Sequence, residues 1–156
     1  MSYSAQLSAE TRTKGTESWP ARLFSGLLWV QGIYYLATGV WPLVSIETFQ
    51  MVTGRKTDNL VTGREGDHWL VMTVGVLITA IALTLPVAAW RRKYPPEVAV
   101  LAVASAVGLT VIDVVYVARQ VILPIYLLDA FAEILLLAGW ACAVIGRSRS
   151  NEPRHA

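Results

Sequence analysis

The sequence is poor in charged residues, and this scarcity argues against a soluble fold. Of its 156 residues, 15% are Asp, Glu, Lys or Arg and 54% are hydrophobic, whereas soluble domains average about 25% charged residues. A soluble core of this size has too little interior for so much apolar surface. We therefore expect helices buried in a lipid bilayer.

Cysteine, histidine and common catalytic motifs are also scarce. The one cysteine, Cys142, cannot form an internal disulfide, and we interpret it as a packing residue. The chain has no phosphate loop, dinucleotide fingerprint, nucleophile elbow or CxxC pair, and no basic, aromatic surface for nucleic acid. We therefore expect no cofactor and no nucleic-acid partner. The polar start followed by a long apolar run does not resemble a signal peptide, so we expect the first helix to be retained.

Long hydrophobic runs, in contrast, are abundant. A transmembrane helix needs about 20 mainly apolar residues. Four stretches meet this requirement, at about 23–44, 69–90, 98–118 and 124–145. The sequence thus predicts an all-α fold, an integral membrane four-helix bundle over residues 22–146. The polar tails, residues 1–21 and 147–156, are expected to be disordered.

The distribution of basic residues predicts the orientation. Most of the 13 Lys and Arg residues fall in the two tails and in the loop between the second and third spans. The loop after the first span and the loop after the third hold the other four: Arg55, Lys56, Arg64 and Arg119. Because Lys and Arg favour the cytoplasmic side, we expect a multi-pass protein of the bacterial inner membrane with both termini in the cytoplasm.

The first predicted loop contains a duplication. Val52-Thr53-Gly54-Arg55 returns nine residues later as Val61-Thr62-Gly63-Arg64. A nonapeptide calcium roll has this period, but its leading glycine pair is missing and two copies are too few to stack. An amphipathic helix gains nothing, because nine residues place the copies on opposite faces. We therefore favour a tandem duplication in a loop, residues 52–69, that tolerates insertion.

A resemblance agrees with this architecture. The run "GIYYLATGVWPLVSIETFQMVTGRKTD", the later "WLVMTVG" and the phrase "YLLDAFAE" resemble a group of uncharacterised small bacterial four-helix membrane proteins. In that group one "VTG-x-KTD" phrase leads directly into the second helix, so this chain would carry one extra nine-residue unit. The resemblance implies a four-helix membrane fold and carries no activity with it.

Three acids lie inside the predicted spans: Asp113, Asp129 and Glu133. Each costs about 2.5–3.5 kcal/mol on insertion scales, so an intramembrane acid is by default a functional-site hypothesis. Helical spacing places Tyr126, Asp129 and Glu133 on one stripe of the fourth helix, continued by Trp140. The third helix has a stripe with Ser105, Asp113 and Tyr116, and the second a stripe with Gly75 and Thr79, which begins near His68. The first helix has a stripe with Gln31, Tyr34 or Tyr35, and Thr38.

These stripes are expected to turn inward and to meet in the outer half of the membrane, since Asp113 and Asp129 lie roughly 7–8 Å below the outer helix ends and Glu133 roughly 13 Å. We expect a polar site that binds a ligand or exchanges protons. Its candidate residues are Gln31, Tyr34, Tyr35, His68, Asp113, Tyr116, Tyr126, Asp129 and Glu133. No metal is expected, because Asp129-x-x-x-Glu133 with His68 is a weak ligand set.

A purely structural role competes with this hypothesis. Arg119, at the outer end of the third helix, is within reach of Asp113 or Asp129 and would form a buried ion pair that locks two helices together. Two neighbouring acids that share a proton could also form a hydrogen-bonded pair inside the bundle without any functional role.

Three functions therefore stay open from the sequence alone. The first is small-molecule or lipid-headgroup binding and translocation through the acidic pocket, with Glu133 as the proton-exchanging group. The second is an intramembrane acid–base enzyme of the isomerase kind. The third is an accessory membrane subunit or homo-oligomer, suggested by small-residue spacings such as Ala104-x-x-x-Gly108 and Gly139-x-x-x-Ala143. Membrane lipids are the partner expected in all three.

Overall fold

The structure is a computed structural model, and it describes residues 19–54, 68–92 and 95–150. For Pro20, His68, Arg149 and Ser150 only the backbone is described. Most of both tails and residues 55–67 of the duplicated loop lie outside the described residues, so the interpretations of the repeat stay predictions.

The described residues form five helices and no strand, which confirms the all-α prediction. The helices are α1 (Trp19–Val44), α2 (Ile46–Thr53), α3 (His68–Trp90), α4 (Pro96–Ala118) and α5 (Tyr126–Ser150). Four of them are long and apolar enough to cross a membrane, over Ala21–Val44, Trp69–Trp90, Pro96–Ala118 and Tyr126–Ser148. These segments overlap the four predicted spans, although α5 continues to Ser150, into residues that were predicted to be a disordered tail. The chain has the architecture of a multi-pass membrane protein.

Local sequence explains where the helices begin. Pro96 occupies the first turn of α4, where its missing N–H needs no acceptor. Pro124 lies in the turn that precedes α5, where the N–H of Tyr126 donates to the carbonyl of Leu123. The sequence places the fourth span from residue 124, and the helix itself starts at Tyr126 because this tight turn comes first.

The short helix α2 was not predicted from the sequence. Ser45 separates α1 from α2. It caps α2, since its hydroxyl accepts a hydrogen bond from the N–H of Thr48. The indole N–H of Trp41 donates to the Thr48 hydroxyl over 3.1 Å, and the Trp41 and Phe49 rings meet edge to face. These contacts fold α2 back beside the end of α1.

Helices α1 and α3 approach each other closely at two glycines. A Cβ atom added to Gly39 would lie 2.9 Å from the backbone nitrogen of Thr79 and 3.0 Å from the carbonyl oxygen of Gly75. One added to Gly75 would lie 2.9 Å from the carbonyl oxygen of Gly39. Only glycine allows this crossing, because the neighbours are backbone atoms that cannot move aside.

The bundle is built from two helix pairs. Helix α1 packs along α3, α4 packs along α5, and the pairs meet mainly where α1 contacts α5. One half of the interior, near the start of α1, is apolar. Its core consists of Phe24, Leu28, Leu85, Ala89, Ala102, Trp140 and Ala143. Most large apolar side chains outside this core face outward, as expected for helices surrounded by lipid. The polar groups are in the other half, toward α2.

Candidate functional site

A polar cluster lies between α1 and α5, directly beyond the apolar core. Helix α1 contributes Gln31, Tyr34 and Tyr35, and α5 contributes Asp129 and Glu133. Gln31, Tyr35 and Glu133 have no exposed surface at all. The predicted stripes of these two helices therefore face each other, and they bring five of the candidate residues together.

Two tyrosines on α1 contact two carboxyl groups on α5. The Tyr35 hydroxyl donates to Oε2 of Glu133 over 3.1 Å, and the Tyr34 hydroxyl donates to Oδ1 of Asp129. The acids are four residues apart, so they lie about 6 Å apart along one face of α5. The tyrosines are consecutive, with ring centroids 6.0 Å apart. Two adjacent tyrosines on α1 therefore form hydrogen bonds with acids on successive turns of α5.

Gln31 ties three helices together at the border between the polar cluster and the apolar core. Its side-chain N–H donates to the carbonyl of Ala102 on α4 over 2.8 Å, and its Oε1 accepts from the indole N–H of Trp140 on α5 over 2.8 Å. The Trp140 ring meets Phe24 edge to face at 4.7 Å. Both ends of the amide are thus satisfied in a buried site, which fixes its orientation.

One atom in this cluster has no hydrogen-bond partner. Oε1 of Glu133 is buried and receives no hydrogen bond from any residue that the structure describes, although Oε2 is paired with Tyr35. A buried acceptor left unsatisfied costs about 1–3 kcal/mol, and more when it is charged. A proton on this oxygen, or a donor from a bound molecule, would remove that cost.

The other predicted site residues are placed less centrally. Asp113 is also buried, with 5% of its surface exposed, on α4. Tyr126 is half-buried at the start of α5, whereas the Tyr116 side chain is 41% exposed on α4. The side chain of His68 lies outside the described residues.

One of the two acids expected to pair with Arg119 has a different hydrogen-bond partner in the structure. Arg119 caps α4 and its side chain is exposed, while Asp129 accepts a hydrogen bond from Tyr34. Every arginine side chain that the structure describes is exposed: Arg22, Arg91, Arg92, Arg119 and Arg147. Within the described part of the chain, therefore, the buried interior contains carboxyl groups and no basic side chain.

The groups in the cluster can exchange protons. No group of three or more His, Cys, Asp and Glu side chains within residues 19–54, 68–92 and 95–150 is placed to hold a metal ion. Two carboxyls beside two phenols can accept, donate and share protons, and they can bind a molecule that supplies N–H or O–H donors.

Sequence reasoning missed two contributors to the site. The carbonyl of Ala102 is a backbone acceptor, and the identity of an alanine side chain gives no signal for it. Ser105, whose hydroxyl donates to the carbonyl of Leu101 over 2.7 Å, lies beside the Tyr35 hydroxyl. Its place in the α4 stripe predicted an inward direction but not this neighbour.

Comparison of the chain with protein-family models, with curated proteins and with solved structures finds no match. The resemblance to a bacterial four-helix group therefore stays a prediction, and the functional argument rests on the geometry of the cluster alone.

Proposed function

We propose that this multi-pass membrane protein binds a small molecule or a lipid headgroup in the acidic cluster and moves it across the membrane, with Glu133 exchanging a proton. The observation that carries the proposal is the buried Oε1 of Glu133, which has no hydrogen-bond partner among the described residues. An acid buried in a membrane protein at an insertion cost of about 2.5–3.5 kcal/mol is typical of proton and substrate pathways.

The neighbours of Glu133 prepare it for this exchange. Tyr35 holds Oε2 and thereby fixes the carboxyl group, so that Oε1 stays in one place. Tyr34 holds Asp129 one turn away in the same manner. When a ligand donates a hydrogen bond to Oε1, the carboxyl proton leaves, and the negative charge is stabilised by the Tyr35 hydroxyl and by the ligand.

The two halves of the α1–α5 contact differ in a way that suits movement. In one half α1 and α5 are joined by apolar packing, where Leu27 covers Gly139 and Phe24 meets Trp140. In the other half they are joined by the tyrosine–carboxyl hydrogen bonds. A ligand that enters at Oε1 of Glu133 would loosen the second half and leave the first as a hinge. By the orientation expected from the basic residues, the cluster would then open toward the outer face.

The test is infrared difference spectroscopy of the purified protein in nanodiscs between about pH 4 and about pH 9, in H₂O and in D₂O. We expect a carboxyl C=O band that changes with pH, shifts in D₂O and disappears in the Glu133→Gln variant. The matched control is Glu97→Gln, an exposed acid in the first turn of α4, which should retain the band.

An accessory, purely structural role predicts a different spectrum. The tyrosine–carboxyl bonds alone would make a rigid helix contact, and wild-type protein would then show only the carboxyl bands of its exposed acids, which titrate at about pH 4, and no band that responds at higher pH. That result would overturn the proposal even when the Glu133→Gln variant does not fold, because the decisive spectrum is that of the wild type.

A further inference from the structure

The interior of this bundle combines acidic groups and aromatic rings without buried basic side chains. Glu133 has no exposed surface and Asp129 is half-buried, while the arginine side chains that the structure describes all face outward. Charge in a medium of low dielectric must be neutralised locally. A proton can do this, and so can a bound cation.

The number and type of ligating groups in the cluster favour one kind of cation. A divalent metal ion needs several anionic or imidazole ligands at short range, and the described residues offer no group of three or more such ligands. An organic cation needs less: one carboxylate oxygen that accepts its N–H donor, and aromatic faces around its charge.

The cluster supplies a buried carboxylate oxygen and two phenol rings near it. Oε1 of Glu133 is a buried acceptor with no described hydrogen-bond donor. The rings of Tyr34 and Tyr35 lie 6.0 Å apart at an angle of 49° on the facing helix. Asp129, one turn from Glu133, adds a second negative group on the same stripe. An ammonium group that binds Oε1 would have Asp129 one helical turn away and the Tyr35 hydroxyl on the other oxygen of the same carboxyl group.

We propose that the ligand of this site is an organic cation, a protonated primary or substituted amine, whose ammonium group replaces the proton on Glu133. The inference rests on the proposed function, since it names the chemical class of the molecule that the acidic cluster binds. Glu133 gives up its carboxyl proton to solvent as the ammonium group arrives, so the site stays neutral and one proton is released for each cation bound.

The experiment is isothermal titration calorimetry on full-length protein in nanodiscs, with three probes of similar size: benzylammonium, benzyl alcohol and benzoate. We expect benzylammonium to bind at least about tenfold more tightly than the other two. Its affinity should fall as the pH falls, because protons compete for Glu133. The groups that face Glu133 are Asp129 on its own helix and Tyr34 and Tyr35 on α1; on α4, Ser105 lies beside Tyr35.

Variants and buffers assign the binding to the cluster. Glu133→Gln should weaken benzylammonium binding by at least about tenfold, and Glu97→Gln should leave it unchanged. Titrations in two buffers of different ionisation enthalpy should show release of about one proton per bound cation. If Glu133→Gln does not fold, two other measurements test the same proposal. They are benzylammonium binding by Asp129→Asn and the number of protons that wild-type protein releases for each bound cation.

The outcomes separate this inference from the proposed function. Equal or tighter binding of benzyl alcohol or benzoate would overturn the cation class and leave proton exchange at Glu133 standing. Failure of all three probes, with an infrared band that still responds to pH and D₂O, would also overturn only the cation class. An unresponsive infrared band in wild type would overturn the proposed function itself.

Discussion

The Tyr35 hydroxyl donates a hydrogen bond to Oε2 of Glu133 over 3.1 Å, and both side chains are completely buried. The bond joins the first and last transmembrane helices, whose residues are far apart in the sequence. It satisfies one oxygen of a carboxyl group whose other oxygen has no described hydrogen-bond partner. The stability of the bundle and the chemistry of the site therefore depend on the same pair of residues.

Removal of the Tyr35 hydroxyl should destabilise the protein. In Tyr35→Phe, Oε2 of Glu133 loses its described donor, and we expect a loss of about 0.6–1.7 kcal/mol, from the average to the maximum coupling measured for hydrogen bonds between membrane helices. Unfolding by a denaturing detergent, followed by circular dichroism, measures this change. Tyr116→Phe, at an exposed position on α4, should have no effect, and equal losses in the two variants would contradict the prediction.

The amide of Gln31 should be energetically coupled to the indole of Trp140. A double-mutant cycle with Gln31→Leu, Trp140→Phe and the double variant isolates their hydrogen bond from the packing that each change disturbs. We expect a coupling of about 0.6–1.7 kcal/mol, measured by detergent unfolding. The exposed pair of Trp41 and Thr48 provides the comparison, with Trp41→Phe and Thr48→Val. A coupling there as large as in the buried pair would argue against the special role of Gln31.

The glycine crossing should be sensitive to a single methyl group. In Gly39→Ala the new Cβ atom would meet backbone atoms of α3 at 2.9–3.0 Å, and overpacking of this kind costs about 1–3 kcal/mol. Gly108→Ala is the matched control on α4, because nothing lies within 4 Å of its added Cβ; higher helix propensity should leave it equally stable or more stable. Thermal unfolding of both variants in one detergent decides, and an unaffected Gly39→Ala protein would refute the crossing.

Two exposed acids should lie on opposite sides of the membrane. Glu47 on α2 follows the first span, whereas Glu97 in the first turn of α4 follows the second. In a Cys142→Ser background, we expect a membrane-impermeant maleimide added to intact cells to label Glu47→Cys and to leave Glu97→Cys unlabelled until the cells are opened. Labelling in the reverse order would invert the orientation expected from the basic residues.

Much of the fold could be predicted from the sequence, because a lipid environment leaves few choices. Apolar runs of about 20 residues must be helices, and the observed spans match the predicted ones. The acids and tyrosines were also identifiable, since polar side chains in such runs have to turn inward. Helical spacing alone placed Tyr126, Asp129 and Glu133 on one stripe, and the structure directs the two acids of that stripe at α1.

The pairing of the stripes could not be predicted, because periodicity gives the direction of a side chain and not its partner. Gly75 and Thr79 were identified as part of a polar stripe, yet that face of α3 packs against Gly39. The spacing Ala104-x-x-x-Gly108 suggested a helix contact, and no described residue lies within 4 Å of a Cβ atom added to Gly108, so a contact there with another subunit stays a prediction. Arg119 was the expected partner of Asp113 or Asp129 by charge, and the structure adds a neutral phenol, Tyr34, as a hydrogen-bond donor to Asp129.

The position of Gln31 has a consequence for how the protein is made. The hydrogen-bond partners of Gln31 are Ala102 and Trp140. They lie on the third and fourth spans, and α1 is synthesised before either span. When α1 and α3 enter the bilayer as a pair, the hydrogen-bond partners of Gln31 and Tyr35 have not yet been made. Water, lipid headgroups or the insertion machinery must then shield these two side chains. A ribosome that stalls before α4 would release a hairpin of α1 and α3 in which Gln31 and Tyr35 have none of the partners that α4 and α5 supply.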